Sequence, residues 1–570
     1  MCTVEKIFFI ILAGCCGLGF QTQAQDNNVK KNPLIIRGNL GASANFYSSN
    51  EQIATRPSYS WSTYGNFTVT TGNVFIPISF VLNQNGDRSP YFQGGLTPTY
   101  KWAKVYLGDR YLPFSPLVFE GQSFRGAGIE LNPKQFRFAA FYGKLNRAVD
   151  EDTSVTNFRT PQYSRTAYGA RIGYGNSSNF IDLSYFHATD DSNSASFVNA
   201  SSKRFNTARD NAVVGVSAKV TILKKLVLIG DFATSGLTQD LSAEEKGSDS
   251  ATKKPLKLMS NLIKYNISSV AALAGQASVI FNGPNLTSNL SYRRVDPQFK
   301  SLGTPYLLSD QELISWANYI SLGMGKFSAS AVFSQQHDNL DKSLATEIKT
   351  LMGSLFINVT IDTNFNVSAG YSGYDFRNKA GTQSLTDANS VHQQISQFSL
   401  SPGYHFSRGY KLHYINANLN YSELDNKNRL ISAQTNNNNL SASLNYTMGL
   451  TAKFCSFSGT AIYSKYKQDT TSYTSYGGVL GASLQLLKNR NLNIQGNVGF
   501  YFNEFNSGIK QRNVSYSFSA GYVLKRHSIS LFANYIYTPP DRINEIISRK
   551  ITYAVASKIL AGGIIYIYVF

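Results

Sequence analysis

From Leu34 onward, apolar and polar residues alternate with a period of two, the pattern of strands whose two faces meet unlike surroundings. Over 491–502, Leu492, Ile494, Val498, Phe500 and Phe502 share one face, and Asn491, Asn493, Gln495 and Asn497 share the other. Over 528–537, Ile529, Leu531, Ala533, Tyr535 and Tyr537 oppose Ser528, Ser530 and Asn534. Over 413–421, Ile415, Ala417, Leu419 and Tyr421 oppose Asn416, Asn418 and Asn420. A soluble sandwich would place charges on its polar face. Here that face is Asn, Ser, Gln and Thr, and the apolar face gathers aromatics near the strand ends. Lipid outside, water inside and an interfacial aromatic girdle account for both features.

Connections alternate in length. Short turns are expected at Gly72-Asn73, Lys101-Trp102, Pro133-Lys134, Asn176, Lys224-Lys225, Gly283-Pro284, Gly325-Lys326, Thr363, Arg408-Gly409, Gly449, Asn489-Arg490 and Lys525-Arg526. Long polar connections are expected at 146–163, 189–211, 236–260, 296–313, 374–392 and 424–438. The segments near Pro98 and Phe119 are weakly patterned. The spacing predicts an all-β fold, a large antiparallel transmembrane barrel of about 26 strands (about 22–26), with short periplasmic turns and long extracellular loops. It would occupy 34–570, with 25–33 a short periplasmic segment. Residues 1–24 read as a signal peptide: Lys6 supplies the charge, 7–20 the apolar run and Thr22-Gln23-Ala24 the cleavage site. Leu12-Ala13-Gly14-Cys15 offers a lipoprotein-type alternative. No later stretch has the length of a transmembrane helix.

The closing strand is read in 558–570, KILAGGIIYIYVF, where Tyr566, Tyr568 and Phe570 fall on one side and the strand would pair with the first. This stretch resembles the insertion signal of Gram-negative outer-membrane proteins, which ends on Phe after alternating apolar residues; Ile565 stands where that pattern has Gly. Two further blocks resemble recurring motifs of a large set of uncharacterised Gram-negative outer-membrane β-barrel proteins. One is Tyr106 to Gly143, with YLGDRYLPFSP, FRGAGIELNP and FRFAAFYG; the other is Tyr292 to Asp341, with YRRVDPQFKSLG and QQHDNLD. The resemblance implies the outer membrane and a barrel fold, and it carries no ligand; a first strand starting at Leu34 leaves no room for a TonB plug domain, so a porin- or transporter-like barrel is expected.

Charged residues make up only 15% of the chain, yet the net charge is +19. That excess would attract anionic solutes or lipopolysaccharide phosphates, or simply coat the turns and loops. A charge facing lipid at mid-depth costs about 2–4 kcal/mol, so the charges of the two blocks are expected at the rims or in the lumen. Arg110, Glu120, Arg125, Glu130, Arg137, Arg293, Arg294 and Asp296 form the candidate lumenal cluster, either binding solute, seating an inward loop or stiffening the wall. Gly126 and Gly128 would mark a bulge or a close backbone approach. A barrel this wide needs a filled lumen; the segment 236–269, with Lys253, Lys254, Lys257, Lys264 and an amphipathic piece at 256–263, is the internal candidate for an inward loop, the alternative being a disordered surface loop.

No histidine pair has metal-site spacing, no nucleophile elbow or phosphate loop occurs, and Cys455 is the one cysteine outside the leader. No catalytic, metal or cofactor site is expected. Partners would be outer-membrane lipid and lipopolysaccharide, the barrel-assembly machinery and a protein or inward loop filling the lumen, with no nucleic acid. Porin-like or gated solute transport is the leading expectation. A plugged assembly barrel of the secretion-translocon kind, and an outer-membrane enzyme, are the alternatives.

Overall fold

The computed structural model describes residues 34–570 except 51–55, 86–90, 154–158, 248–253, 388, 429, 470, 507–509, 540–541, 544–551 and 554–556. The expected signal peptide, 1–24, and the expected 25–33 segment lie outside the described residues. The rest forms a closed antiparallel barrel of 26 strands. Tyr91–Leu96 and Thr99–Tyr100 are two halves of one strand, each pairing with both neighbours. Pro98 separates them, because proline has no N–H to give to a ladder. The first strand, Ile35–Ser49, pairs with the last, Ser557–Val569, from Asn39 opposite Val569 to Ser49 opposite Ile559. That seam closes the sheet and leaves no open edge, as a lipid environment requires.

Eleven of the twelve short turns fall where the sequence marks them. The exception is Gly449, which lies inside the strand Asn437–Leu450; the turn follows it at 451–454. Most strands run 12–17 residues, longer than the 9–11 that cross a bilayer, so the wall continues past the membrane. The long connections are tied to one another beyond it. The Glu151 carboxylate accepts the Ser202 hydroxyl (2.6 Å) and the backbone N–H groups of Asn199 (3.0 Å) and Val198 (2.7 Å), which hold its pKa down at about 2.

Residues directly opposite each other in a ladder point to the same side, so each face can be followed pair by pair around the barrel. Phe124, Phe141, Phe186, Val213, Ala233, Ala274 and Val295 come from seven of the strands between 124 and 295 and meet in one buried cluster. Only the concave side of a closed wall lets so many strands converge, so this is the lumenal face. The opposite face carries exposed Tyr142, Tyr174, Ile181 and Leu183, and an apolar surface of this kind is covered by lipid.

At the seam, Tyr566 and Tyr568 share the outward face with Leu40 and Ala42, their cross-strand partners. The Phe570 ring packs on Tyr568 (5.1 Å) and Phe67 (5.6 Å), and the Tyr566 hydroxyl meets His527 Nδ1 at 2.8 Å. This aromatic group sits at the short-turn end, at the level where amphipathic rings are stable.

The 236–269 segment does not fill the lumen. Its helix, Lys254–Met259, and the residues after it lie against the outward face near the long-loop rim. Met259 is fully buried and packs with Ile263 and Ala212, flanked by Tyr185 and Val214. Ala212 and Val214 share the outward face with exposed Val216. Gly236 makes the room: a Cβ there would come within 2.7 Å of Met259 Cβ. Asp210, on the same face, accepts the Lys264 N–H at 2.8 Å, and the Thr238 hydroxyl donates to the Lys264 carbonyl at 2.8 Å. The amphipathic piece found an apolar surface, but on the convex side of the wall.

A lumen lined on one side by two inward loops

Two other loops enter the barrel. The first is 111–123, between the strands Ala103–Arg110 and Phe124–Leu131. Its sequence, YLPFSPLVFEGQS, cannot continue as strand, since Pro113 and Pro116 remove two ladder donors. Its apolar residues cannot stay in water, and irregular backbone is not tolerated in lipid. The lumen answers both demands. Inside it the segment makes a tight turn, Phe119 N–H to Ser115 O (3.1 Å) and Phe114 N–H to Phe119 O (3.0 Å). Leu117, Val118 and Phe119 have no exposed surface. The Phe119 ring stacks on Phe141 (4.6 Å) and Phe186 (5.4 Å) of the wall, and Phe124 stacks on Phe141 (4.5 Å).

The second inward loop is 296–310, which contributes buried Phe299, Ser301, Leu302 and Thr304. Gly303 lies against the first loop, where a Cβ would come within 2.8 Å of Phe119, 2.9 Å of Phe186 and 2.9 Å of the Val118 carbonyl. The loops are joined by Glu120 N–H to Gly303 O (3.0 Å) and Ser301 Oγ to Val118 O (2.7 Å). Fully buried Asn211 holds the second loop to the wall: its Nδ2 donates to the Lys300 carbonyl (3.0 Å), and its Oδ1 accepts the Leu302 N–H (2.8 Å). The two blocks singled out in the sequence are therefore in contact through their loops.

Burial of a large apolar side chain stabilises by about 1.5–3 kcal/mol. Leu112, Phe114, Leu117, Val118, Phe119, Phe299 and Leu302 together contribute about 10–20 kcal/mol as an upper estimate, against which stands the entropy of ordering the loops. Both loops are thus packed and hydrogen-bonded against the wall as a lining of the lumen.

Beneath the first loop runs an ion network on the lumenal face. Glu130 accepts the Tyr106 hydroxyl (2.8 Å), Lys104 Nζ (3.3 Å) and Asn132 Nδ2 (3.2 Å). Arg171 bridges Glu130 (3.5 Å) and Asp182 (3.8 Å), and its Nη1 donates to the Pro113 carbonyl of the loop (3.3 Å). Arg137 forks onto Asp182 with Nε–Oδ1 at 2.8 Å and Nη2–Oδ2 at 2.9 Å, with its guanidinium 4.3 Å from the Phe180 ring centre. Arg137 and Asp182 lie on strands separated by a third, and Gly173 opens the space between them: its Cβ would fall 1.9 Å from Asp182 Oδ1. A second chain of contacts runs from Arg293 Nε to Gln276 Oε1 (3.0 Å), from Gln276 Nε2 to Asp231 Oδ2 (2.9 Å), and from the Ser115 hydroxyl of the loop to Asp231 Oδ1 (3.2 Å).

The eight candidate residues thus divide. Glu130 and Arg137 join the network under the loop, and Arg293 the second chain. Arg110 lies on the lumenal face and donates to Ser79 Oγ at 2.6 Å. Glu120 is exposed on the inward loop, and its carboxylate makes no ion pair among the described residues. Arg125 shares the outward face with Ala127. It forks onto Asp109 (2.8 and 2.6 Å) at the long-loop end. Arg294 is also outward there, with Asp296 (3.1 Å) and Glu312 (3.3 Å). Of the two marked glycines, Gly126 is a close approach, with a Cβ position 2.0 Å from the Tyr142 carbonyl. Arg171, Asp182 and Asp231 escaped the sequence reading, although each is a charge on the inner side of a strand whose other side is apolar.

The rest of the inner wall is different in kind. From Gln311–Leu322 round through the seam to Thr99–Tyr100 are seventeen consecutive strands. Followed pair by pair, their lumenal face carries one permanently charged side chain among the described residues, Arg37, and one histidine, His405. Ser, Asn, Thr and Gln dominate it and bond to one another: Ser401 Oγ to Asn418 Oδ1 (2.8 Å), Asn445 Nδ2 to Thr460 Oγ1 (2.7 Å), Asn497 Nδ2 to Ser517 Oγ (3.0 Å). Apart from Arg37, lumenal charge among the described residues lies on the nine strands from 103 to 295, where the loops sit. No group of three or more His, Cys, Asp or Glu is placed to hold a metal ion among the described residues.

No protein-family model matches the chain, and no curated protein matches it. Among solved structures, the P pilus usher (PapC) translocation pore aligns over 94% of this chain and 99% of its own, at 11% identity and a TM-score of 0.37. Pseudomonas aeruginosa OpdQ aligns over 60% of this chain and 93% of its own, at 12% identity and a TM-score of 0.34. The outer membrane protein OprD from Pseudomonas aeruginosa aligns over 66% and 96%, at 10% identity and a TM-score of 0.32.

Proposed function

We propose that the chain is an outer-membrane channel for neutral, hydrogen-bonding solutes, with one side of its lumen permanently lined by the two inward loops. The observation that carries this reading is the segregation of lumenal charge. Apart from Arg37, the lumenal charges lie on the nine strands that carry the loops, most of them paired, and Arg171 and Asp231 hold the first loop directly; the seventeen other strands offer amide and hydroxyl groups that can donate and accept. Such a wall exchanges hydrogen bonds with a polyhydroxylated solute at little net cost and creates little field to select ions. The chain's +19 charge is therefore not a lumenal anion filter.

A circular barrel of this strand number would measure about 50 Å across, which is wide for a solute channel. That width favours a second reading, a barrel completed by a protein partner in its lumen. Swelling of proteoliposomes in iso-osmotic sugar separates the two. The channel reading expects swelling with neutral di- and trisaccharides, at rates falling with size, and no faster entry of sugar acids of equal size. A folded barrel that admits no solute would favour the partner-filled reading.

A further inference from the structure

The net charge has a definite location. The twelve short turns, counted with the strand residues that flank them, hold twelve Lys and Arg and a single acid, Asp362. Their balance of +11 is more than half of the chain's +19. The cations occupy eight of the twelve turns and so encircle the barrel, in places as pairs: Lys224 with Lys225, Lys488 with Arg490, Lys525 with Arg526. None of them makes an ion pair among the described residues.

The make-up of the turn tips points to a ligand. Lys101, Lys134, Lys224, Arg490 and Lys525 hold left-handed backbone, with φ of 50, 56, 59, 57 and 51°. Glycine or asparagine adopts that conformation at lower cost, and Gly72 and Gly409 do so in other turns. Leu223, Met324, Phe454 and Leu487 hold it as well, so these turns put cationic and apolar side chains alike at their tips. Beside the cations, Leu223, Met324 and Leu487 are 87%, 109% and 58% exposed, and Trp102 is exposed as well. Apolar tips alternating with cations suit the boundary between acyl chains and headgroups.

We propose that the short-turn rim is a collar that binds anionic phospholipid headgroups of the leaflet in which it sits. The inference rests on the reading that the barrel spans a membrane. A ring around the whole circumference matches a lipid annulus better than a docked protein, which would need one patch. The headgroup phosphate accepts from Lys and Arg, and the apolar tips enter the acyl region.

The test is native mass spectrometry of the full chain extracted from bilayers of phosphatidylcholine with an equal amount of phosphatidylglycerol. The expected result is about fivefold enrichment of phosphatidylglycerol in the retained lipid, from roughly 1 kcal/mol per engaged cation. Combined Lys224→Gln, Lys225→Gln, Lys488→Gln, Arg490→Gln, Lys525→Gln and Arg526→Gln substitution should cut that enrichment by more than half. Lys203→Gln, Arg204→Gln, Lys246→Gln and Lys342→Gln in the long loops should leave it unchanged. Protease-resistant insertion of every variant is read in parallel, so failure of the membrane reading is distinguishable from failure of the collar. The proposal is overturned by equal retention of the two lipids, by equal losses in both variants, by selective retention of added lipopolysaccharide alone, or by a rim variant that keeps its lipid but loses an acidic protein partner.

Discussion

Asp182→Ala should lower the stability of the barrel to urea by about 3–5 kcal/mol, the cost of leaving buried charge without its partner. Asp182 is 1% exposed, and the Arg137 and Arg171 side chains that converge on it are 18% and 10% exposed. Water cannot take over the role of the carboxylate there. Its removal leaves the Arg137 and Arg171 guanidinium groups without the carboxylate they share, and Arg171 also anchors the Pro113 carbonyl of the inward loop. Unfolding in detergent, followed by the loss of heat-modifiable mobility on gels, measures the effect. The combined Arg137→Met and Asp182→Leu change should be milder than Asp182→Ala alone, because removing both charges also removes the desolvation cost. An Asp182→Ala barrel as stable as the parent would show that the network does not hold the wall.

Replacing 112–122 by a short Gly-Ser linker should raise single-channel conductance about twofold or more, since ion flow through a wide pore follows the free cross-section and this loop with its partner fills one side of it. The strands on either side of the loop are antiparallel neighbours, so a short linker closes them. The seven apolar side chains that seat the loops make the increase a change of state rather than of flicker rate. Gly303→Val should act in the same direction by driving a side chain into Phe119 and Phe186. Unchanged conductance in both variants would mean that the loops do not bound the conducting path.

The barrel was largely legible in the sequence because the membrane imposes one rule on every strand: a two-residue period with lipid on one side. Turn positions, strand number and the closing role of 558–570 follow from that repeated rule. Two places were not legible. The 236–269 segment has the cation-studded amphipathic pattern expected of an inward loop, but amphipathicity does not say which side of a wall will be met; Gly236 and Ala212 offer the apolar seat outside. The 111–123 segment lacks periodicity, because Pro113 and Pro116 exclude regular structure, and its YLPFSPLVFE run reveals its destination only when Phe141 and Phe186 are seen to share a face. The candidate charges split for a similar reason. Near a rim, either face of a strand tolerates a charge, so Arg125 and Arg294 could pair outside while Glu130 and Arg137 pair within.

The open side of the lumen has a wall whose one permanent charge among the described residues is Arg37, so ions should cross it with little selection. The most direct measurement is planar-bilayer recording of the purified, unmodified chain, with the reversal potential taken across a steep KCl gradient. A steady conductance reversing close to zero is the expected result. A silent barrel, or one reversing near the chloride equilibrium potential, would contradict it.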